Sequence, residues 1–211
     1  VDREVARELL QRPEASRLGG QKREVAILMS DIQGFTAVAE SLSPEETIAI
    51  LNHYFGRMID VIHEYRGVIV DFYGDGVLVF FDPHDGPVAP AAARAVQCSL
   101  AMQHSMARLN QEMGSKPLSS ALETRIAVHA GSVVVGNIGS ASRSKYGIVG
   151  LAVNMTQRME TEIQGGQIVV SRRVSELLGD TLVVKPPFTA LFKGIQDAVT
   201  LYLLEDFRPP E

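Results

Sequence analysis

The chain has 211 residues, of which 45% are hydrophobic, enough for the core of one α/β domain. Its formal net charge of −5 offers no general electrostatic attraction to nucleic acid, so we expect no nucleic-acid partner. A phosphate-bearing ligand would need local cations or metal ions instead. The single cysteine, Cys98, allows no internal disulfide and fits a reducing compartment.

The N-terminal residues 1–20 are predicted to form a linker helix that arrives from an upstream module, with Pro13 and the Gly19-Gly20 pair ending it. A frayed terminus is the alternative. We expect a globular domain at 21–205 and a tail at 206–211. No apolar run is long enough to cross a bilayer and no secretory signal is present. The expected location is cytoplasmic, with a membrane anchor outside this piece left open.

The first predicted strand is the apolar run from Val25 to Met29, which ends at Ser30-Asp31. A glycine-containing turn, Ile32 to Thr36, follows it. Ser43-Pro44 then begins an amphipathic helix, because a capping residue precedes proline at the first helical position.

A hairpin is predicted next, with apolar runs at Gly67 to Tyr73 and Val77 to Phe81 joined through Gly74-Asp75-Gly76. Asp31 therefore ends one strand, and Asp75 lies in a turn between two others. Two acids at one edge of a sheet can share a divalent metal ion, because hard cations take oxygen ligands. Taken singly, Asp75 is typical turn chemistry and Asp31 is a typical cap.

The remaining pattern alternates helices and short strands, which predicts helices packed on a mixed sheet. Asn154 and Arg158 are four residues apart on one predicted helix and share a face. The segment 137–147 is predicted to be mobile. The other predicted elements are helices at 90–113, 151–163 and 171–178 and strands at 124–129, 132–135, 168–170, 181–185 and 200–204.

Several of these motifs together resemble the catalytic domain of the class III nucleotidyl cyclases. DIQGFT and FYGDGVLVFF are similar to its two metal-binding signatures, and VGLAVNMTQRME and FKGI extend the resemblance from about Val25 to Leu204. The resemblance implies a ferredoxin-like βαββαβ core. It also implies cyclisation of a purine nucleoside triphosphate to its 3′,5′-cyclic monophosphate with loss of pyrophosphate, two Mg²⁺ or Mn²⁺ ions, a homodimer and an upstream regulatory domain.

The resemblance also assigns roles to residues of this chain. Metal ligands would be the carboxylates of Asp31 and Asp75 and the carbonyl of Ile32. Asn154 would orient the ribose, and Arg158 would stabilise charge in the transition state. The positions expected to hold phosphate oxygens are Gly34, Phe35 and Thr36 through their amides, and Lys193 through its side chain.

The base-reading positions of the resembled family fall on Asp71 and Gly147. Adenylyl cyclases carry lysine at the first and aspartate or threonine at the second, whereas guanylyl cyclases carry an acid at the first. An acid can accept from guanine N1–H and the exocyclic amine together, and Gly147 contributes no side chain. The expectation leans to GTP and keeps ATP open; alternatively, Asp71 simply lies on a strand and reads nothing.

Three functions fit these motifs to different degrees. An active homodimeric nucleotidyl cyclase is favoured because one chain carries all the matched catalytic residues. A degenerate cyclase domain that serves as a dimerisation or nucleotide-sensing module is the alternative, motivated by the altered base positions. A diguanylate cyclase would need a GG[DE]EF signature, which the sequence lacks.

Overall fold

A computed structural model describes residues 18–84, 86–114, 121–140 and 143–209, so most of the predicted linker helix lies outside the described residues. A mixed sheet forms the centre of this part of the chain. Its strands are β1 (Gly19–Ile32), β2 (Val68–Tyr73), β3 (Gly76–Phe81), β4 (Thr124–Ser140), β5 (Arg143–Val149), β6 (Ile168–Ser171), β7 (Leu182–Val184), β8 (Phe188–Ala190) and β9 (Val199–Phe207).

The strand order is β2-β3-β1-β4-β6-β9-β7, with β5 paired to β4 and β8 to β9. The first four strands and the helices between them form the expected βαββαβ core, and the later elements extend it. The helices are α1 (Phe35–Glu40), α2 (Pro44–Glu64), α3 (Ala89–Met113), α4 (Leu151–Thr161) and α5 (Arg172–Leu178), and a 3₁₀ turn follows at Gly179–Thr181.

The sheet is covered on both faces, which explains why its central strands are continuously apolar. Ala26 and Leu28 of β1 pack with α2 and α3 in one core cluster. Val25 and Ile27 point the other way and pack with β5 and the start of α4. In the described part of the chain, no helix is both long and apolar enough to span a membrane.

The N-terminus of α2 confirms the prediction from Ser43-Pro44. The Ser43 side chain accepts from the Glu46 amide while the Glu46 carboxylate accepts from the Ser43 amide, which is a capping box. Because two first-turn amides are satisfied in this way, the helix begins at Pro44.

The predicted helix before Gly19-Gly20 lies outside the described residues, and Gly19 and Gly20 themselves lie in β1 opposite Asn137 and Gly136 of β4. A Cβ on Gly136 would stand 2.1 Å from the Gly19 carbonyl oxygen. Glycine is therefore used here for close approach of two strand backbones rather than for a turn.

The two strands predicted within 124–135 are one continuous strand, β4. Ala130 and Gly131 stay in register with Ala26 and Val25 of β1. Gly131 instead gives room to α4, because a Cβ there would lie 2.7 Å from Ala152 Cβ. Pairing with β1 therefore keeps β4 continuous, although Ala130-Gly131 predicts a break in the strand.

The segment 137–147 was predicted to be mobile, but its described part is a β4–β5 hairpin. The sequence missed it because the first three residues of β5, Arg143 to Lys145, are polar or charged and all exposed, so no apolar–polar alternation marks the strand. Strand β8, also missed, is only three residues long. Strand β9 continues to Phe207, so the strand includes Asp206 and Phe207 of the expected tail.

Candidate active site

The structure brings together the two acids predicted to bind metal. Asp31 lies at the end of β1 and Asp75 in the turn before β3, and the Asp75 carboxylate accepts from the Ile32 amide at 2.9 Å. Gly76 makes this approach possible, because a Cβ there would stand 3.0 Å from the Ser30 carbonyl oxygen. The hairpin turn is thus seated directly against the end of β1.

Two residues that sequence reasoning missed, Arg125 and Glu160, complete this end of the sheet. Arg125 faces Asp31 across the β1–β4 pair, and its guanidinium lies 3.2 Å from the Asp31 carboxylate. Its Nε lies 2.7 Å from Glu160 Oε1, although these two atoms are not aligned for a hydrogen bond. The available signal was a charged residue directly beside a buried apolar one, Arg125 beside Ile126 and Glu160 beside Met159.

Negative charge exceeds positive charge among these residues. Burial and the nearby Asp75 raise the pKa of Asp31, and Arg125 only partly opposes this. Burial and then repulsion from Asp31 raise the pKa of Glu160 to about 7, against the opposing effect of Arg125. Glu160 is only 3% exposed, so the excess charge is poorly solvated.

A divalent cation would match this arrangement. Asp31 Oδ1 is buried and has no hydrogen-bond partner among the described residues, and a buried carboxylate oxygen of this kind requires compensation. Within the same residues, no group of three or more His, Cys, Asp or Glu side chains forms a candidate metal cluster. The fit therefore rests on two carboxylates, with further oxygens from the backbone, the substrate or water.

The turn after Asp31, predicted to hold phosphate oxygens, is anchored at several points. The Gln33 amide donates to the Glu123 carbonyl at 2.8 Å, and the Gln33 side chain accepts from the Gly165 amide. Gly34 adopts φ 70° at the start of α1, where no side chain caps the helix. Phe35 is buried beneath it, while Thr36 is exposed.

Asn154, Arg158 and Lys193 form a second group. Asn154 is exposed on α4 and lines an open groove with Val149 and Leu151, whereas Asp31 and Asp75 do not line it. Arg158 donates to the Lys193 carbonyl at 2.5 Å, and the Lys193 residue itself is exposed. The structure thus brings Arg158 and Lys193 together but leaves this face of α4 open.

The two predicted base-reading positions lie on β2 and β5, which are not paired in the sheet but contact each other. Asp71 follows an irregularity in the β2–β3 pairing, and its carboxylate accepts from the Phe72 amide at 3.0 Å. The other carboxylate oxygen lies 2.5 Å from Lys145 Nζ on β5. Gly147 is buried against β2, since a Cβ there would stand 2.9 Å from Val70 Cγ1.

Solved structures that share this architecture include two nucleotidyl cyclases. The guanylyl cyclase Cya2 is 42% identical, with a TM-score of 0.86 over 92% of this chain and 97% of that chain. The adenylyl cyclase CyaB from P. aeruginosa is 32% identical, with a TM-score of 0.85 over 90% of this chain and 98% of that chain. The fold and the paired acids thus define a nucleotidyl cyclase domain.

The family model for the adenylate and guanylate cyclase catalytic domain matches residues 19–206, and the chain belongs to this family. A curated relative, adenylate cyclase 1 of Rhizobium meliloti, is 31% identical over 206 residues, which cover 94% of this chain and 30% of that protein. The chain therefore spans about a third or less of the length of such curated relatives.

Proposed function

We propose that this domain converts GTP to 3′,5′-cyclic GMP and pyrophosphate, at sites shared between two identical chains. The observation that carries the cyclase assignment is the pairing of Asp31 with Asp75, in which one buried carboxylate oxygen has no partner among the described residues. The choice of GTP over ATP rests on Asp71.

The reaction forms a bond between the ribose 3′-oxygen and the α-phosphorus and breaks the bond from that phosphorus to pyrophosphate, while the proton of the 3′-hydroxyl passes to water or to the departing pyrophosphate. Two Mg²⁺ or Mn²⁺ ions held by Asp31, Asp75 and the Ile32 carbonyl would activate the hydroxyl and neutralise the phosphates. The Ile32 amide holds the Asp75 carboxylate in place, so the ligands are preorganised before substrate arrives.

The other proposed roles belong to the turn after Asp31, to α4 and to Lys193. Amides of Gly34, Phe35 and Thr36 would hold phosphate oxygens, with the Lys193 ammonium beside them. Asn154 would orient the ribose and Arg158 would stabilise the charge that develops on the phosphates. All of these would act together only when a second chain covers the exposed face of α4.

A homodimer is supported by the surface around Asn154. Leu151 is 85% exposed and Val149 is 54% exposed, although both are large apolar residues that a second copy would remove from water. An upstream regulatory domain joined through residues 1–20 stays part of the proposal, as does a catalytic domain at 21–205.

The choice of GTP follows from hydrogen-bonding chemistry. The Asp71 carboxylate only accepts hydrogen bonds; it matches the two donors of guanine, N1–H and the 2-amino group, and faces an acceptor at N1 of adenine. Relatives with both specificities resemble this chain, since Cya2 is a guanylyl cyclase and CyaB an adenylyl cyclase.

The test compares kcat/KM for GTP and ATP with Mn²⁺ on the purified protein. A buried polar mismatch costs about 1–3 kcal/mol, so we expect GTP to be favoured by roughly one to two decades. Asp71→Lys should erode that preference. Asp180→Lys makes the same charge change at an exposed residue outside the site and should leave it intact.

A wild type that prefers ATP would contradict the assignment of GTP, as would a ratio that Asp71→Lys does not change. If neither nucleotide were cyclised by a folded dimer, the non-enzymatic dimerisation or nucleotide-sensing module would replace the enzyme.

A further inference from the structure

Asp71 does not stand alone at its end of β2. Lys145 of β5 reaches across to it, and the two side chains are 49% and 45% exposed, lysine first. The pair is therefore accessible to a ligand on its outer side. The Asp71–Lys145 pair also lies beside the contact between Gly147 and Val70, because Lys145 and Gly147 are two residues apart on β5 and share a face.

Gly147 cannot easily supply a base-reading group here. A Cβ at this position would lie 2.9 Å from Val70 Cγ1, closer than van der Waals contact allows, and the branched Val70 side chain has few rotamers with which to retreat. Any donor from β5 must come from another residue, and Lys145 is on the same side of the strand.

We propose that Lys145 is a specificity-determining residue, which donates a hydrogen bond to O6 of guanine while Asp71 accepts from N1–H and the 2-amino group. This inference rests on the proposed choice of GTP and adds a second reading group to it. Together the two side chains would address three adjacent polar groups on one edge of the base.

The hydrogen-bonding capacity of the pair allows this. An ammonium has three donors, so Lys145 can keep its bond to Asp71 and still offer one to the base. Each carboxylate oxygen accepts more than one bond, so the bonds from Phe72 and Lys145 leave capacity for guanine. The Lys145 contact also lowers the pKa of Asp71, which keeps the carboxylate an acceptor.

Adenine would be mismatched at two positions. Its 6-amino group would meet the Lys145 ammonium, so two donors would face each other. Its unprotonated N1 would meet the Asp71 carboxylate, so two acceptors would face each other. Discrimination would thus come from repulsion of the wrong base as well as attraction of the right one.

Base analogues can separate the two side chains. GTP and ITP share O6 and N1–H, and ITP lacks only the 2-amino group. Lys145→Met should lower kcat/KM for GTP and ITP by the same factor, on the order of tenfold, without lowering it for ATP. The GTP-to-ITP ratio should stay at its wild-type value in this variant and fall toward one in Asp71→Asn.

Arg143→Met is the matched control, because it removes an exposed cation from the same strand and should leave all three constants unchanged. Thermal unfolding and dimer mass are measured for every variant, and Lys145→Leu, which also lacks a donor, replaces Lys145→Met if the latter fails to fold.

If wild type prefers GTP and Lys145→Met leaves the GTP-to-ATP ratio unchanged, or raises it, the role of Lys145 is overturned while the choice of GTP stands. An equal loss for GTP, ITP and ATP would also overturn it, since Lys145 would then act on the triphosphate. A wild type that prefers ATP overturns both proposals.

Discussion

The two groups of candidate catalytic residues differ in how the chain holds them. Asp31 and Asp75 are fixed by contacts within one chain, through the Ile32 amide and the Arg125 guanidinium. Asn154 and the Lys193 residue are exposed on another surface, where Arg158 makes one bond to a backbone carbonyl. The first group is held by contacts within the chain, whereas Asn154 and Lys193 of the second group are open to solvent.

Helix α4 takes part in both groups. Its buried side carries Glu160, which touches Arg125 behind Asp31, and its other side carries the exposed Asn154 and the half-buried Arg158. In a dimer with shared sites, one helix would support the acids of its own chain and complete the site of its partner. The contrast between the two sides of α4 therefore predicts different consequences of mutation.

The largest effect is expected at the fixed acids. Asp75→Asn keeps an oxygen that can accept from the Ile32 amide but removes the charge, and Asp31→Asn removes the other carboxylate. Loss of a ligand from a two-metal site costs several kcal/mol, so kcat should fall by roughly a hundredfold or more, and Mn²⁺ affinity measured by calorimetry should fall with it. Asp180→Asn is the control and should keep its turnover. Near-normal turnover of Asp31→Asn or Asp75→Asn at saturating metal would contradict the assignment.

Complementation between inactive chains tests whether the exposed group serves a partner. Asp31→Ala and Arg158→Ala should each be inactive alone. After exchange of equal amounts, about a quarter of the wild-type rate should return, because half of the dimers are mixed and each has one intact site of two. Absence of recovery, with exchange confirmed by mass spectrometry, would show that each chain builds its own site.

A smaller effect is expected on stability, where a substitution at Glu160 on the buried side of α4 should change the free energy of unfolding more than one at Arg158. The pKa of Glu160 is raised to about 7, so the folded state binds more protons than the unfolded state above the ordinary pKa of 4.5. Stability should therefore fall as pH rises from about 4.5 to about 7 and then level off. Glu160→Gln should remove up to about 3 kcal/mol of this decline.

Urea unfolding at pH 5, 6, 7 and 8 measures that difference. Arg158→Gln, two residues away on the same helix, is the matched control and should change the free energy of unfolding by about 0.5 kcal/mol or less at every pH. Equal pH profiles of the free energy of unfolding for wild type and Glu160→Gln would show that the charged form of Glu160 does not destabilise the folded state.

The fold was predictable wherever local chemistry and tertiary structure agree. The positions of Asp31 at a strand end and of Asp75 in a hairpin turn were predictable from the flanking apolar runs, because strand ends and hairpin turns depend on local sequence. The contact of Arg125 with Asp31 and Glu160 was not predictable, because it depends on strand register and on helix placement. The continuity of β4 through Gly131 was not predictable for the same reason, because it depends on the pairing of Ala130 and Gly131 with β1.

The close fit of Gly147 against Val70 also constrains how this domain can change over evolutionary time. A side chain installed at Gly147 alone would meet Val70 Cγ1 and lower stability before it gained any contact with a base. A smaller residue at position 70 would have to come first or together with it. The order of substitutions is therefore restricted, and lineages that keep Val70 are expected to vary their base contacts at Asp71 and Lys145 instead.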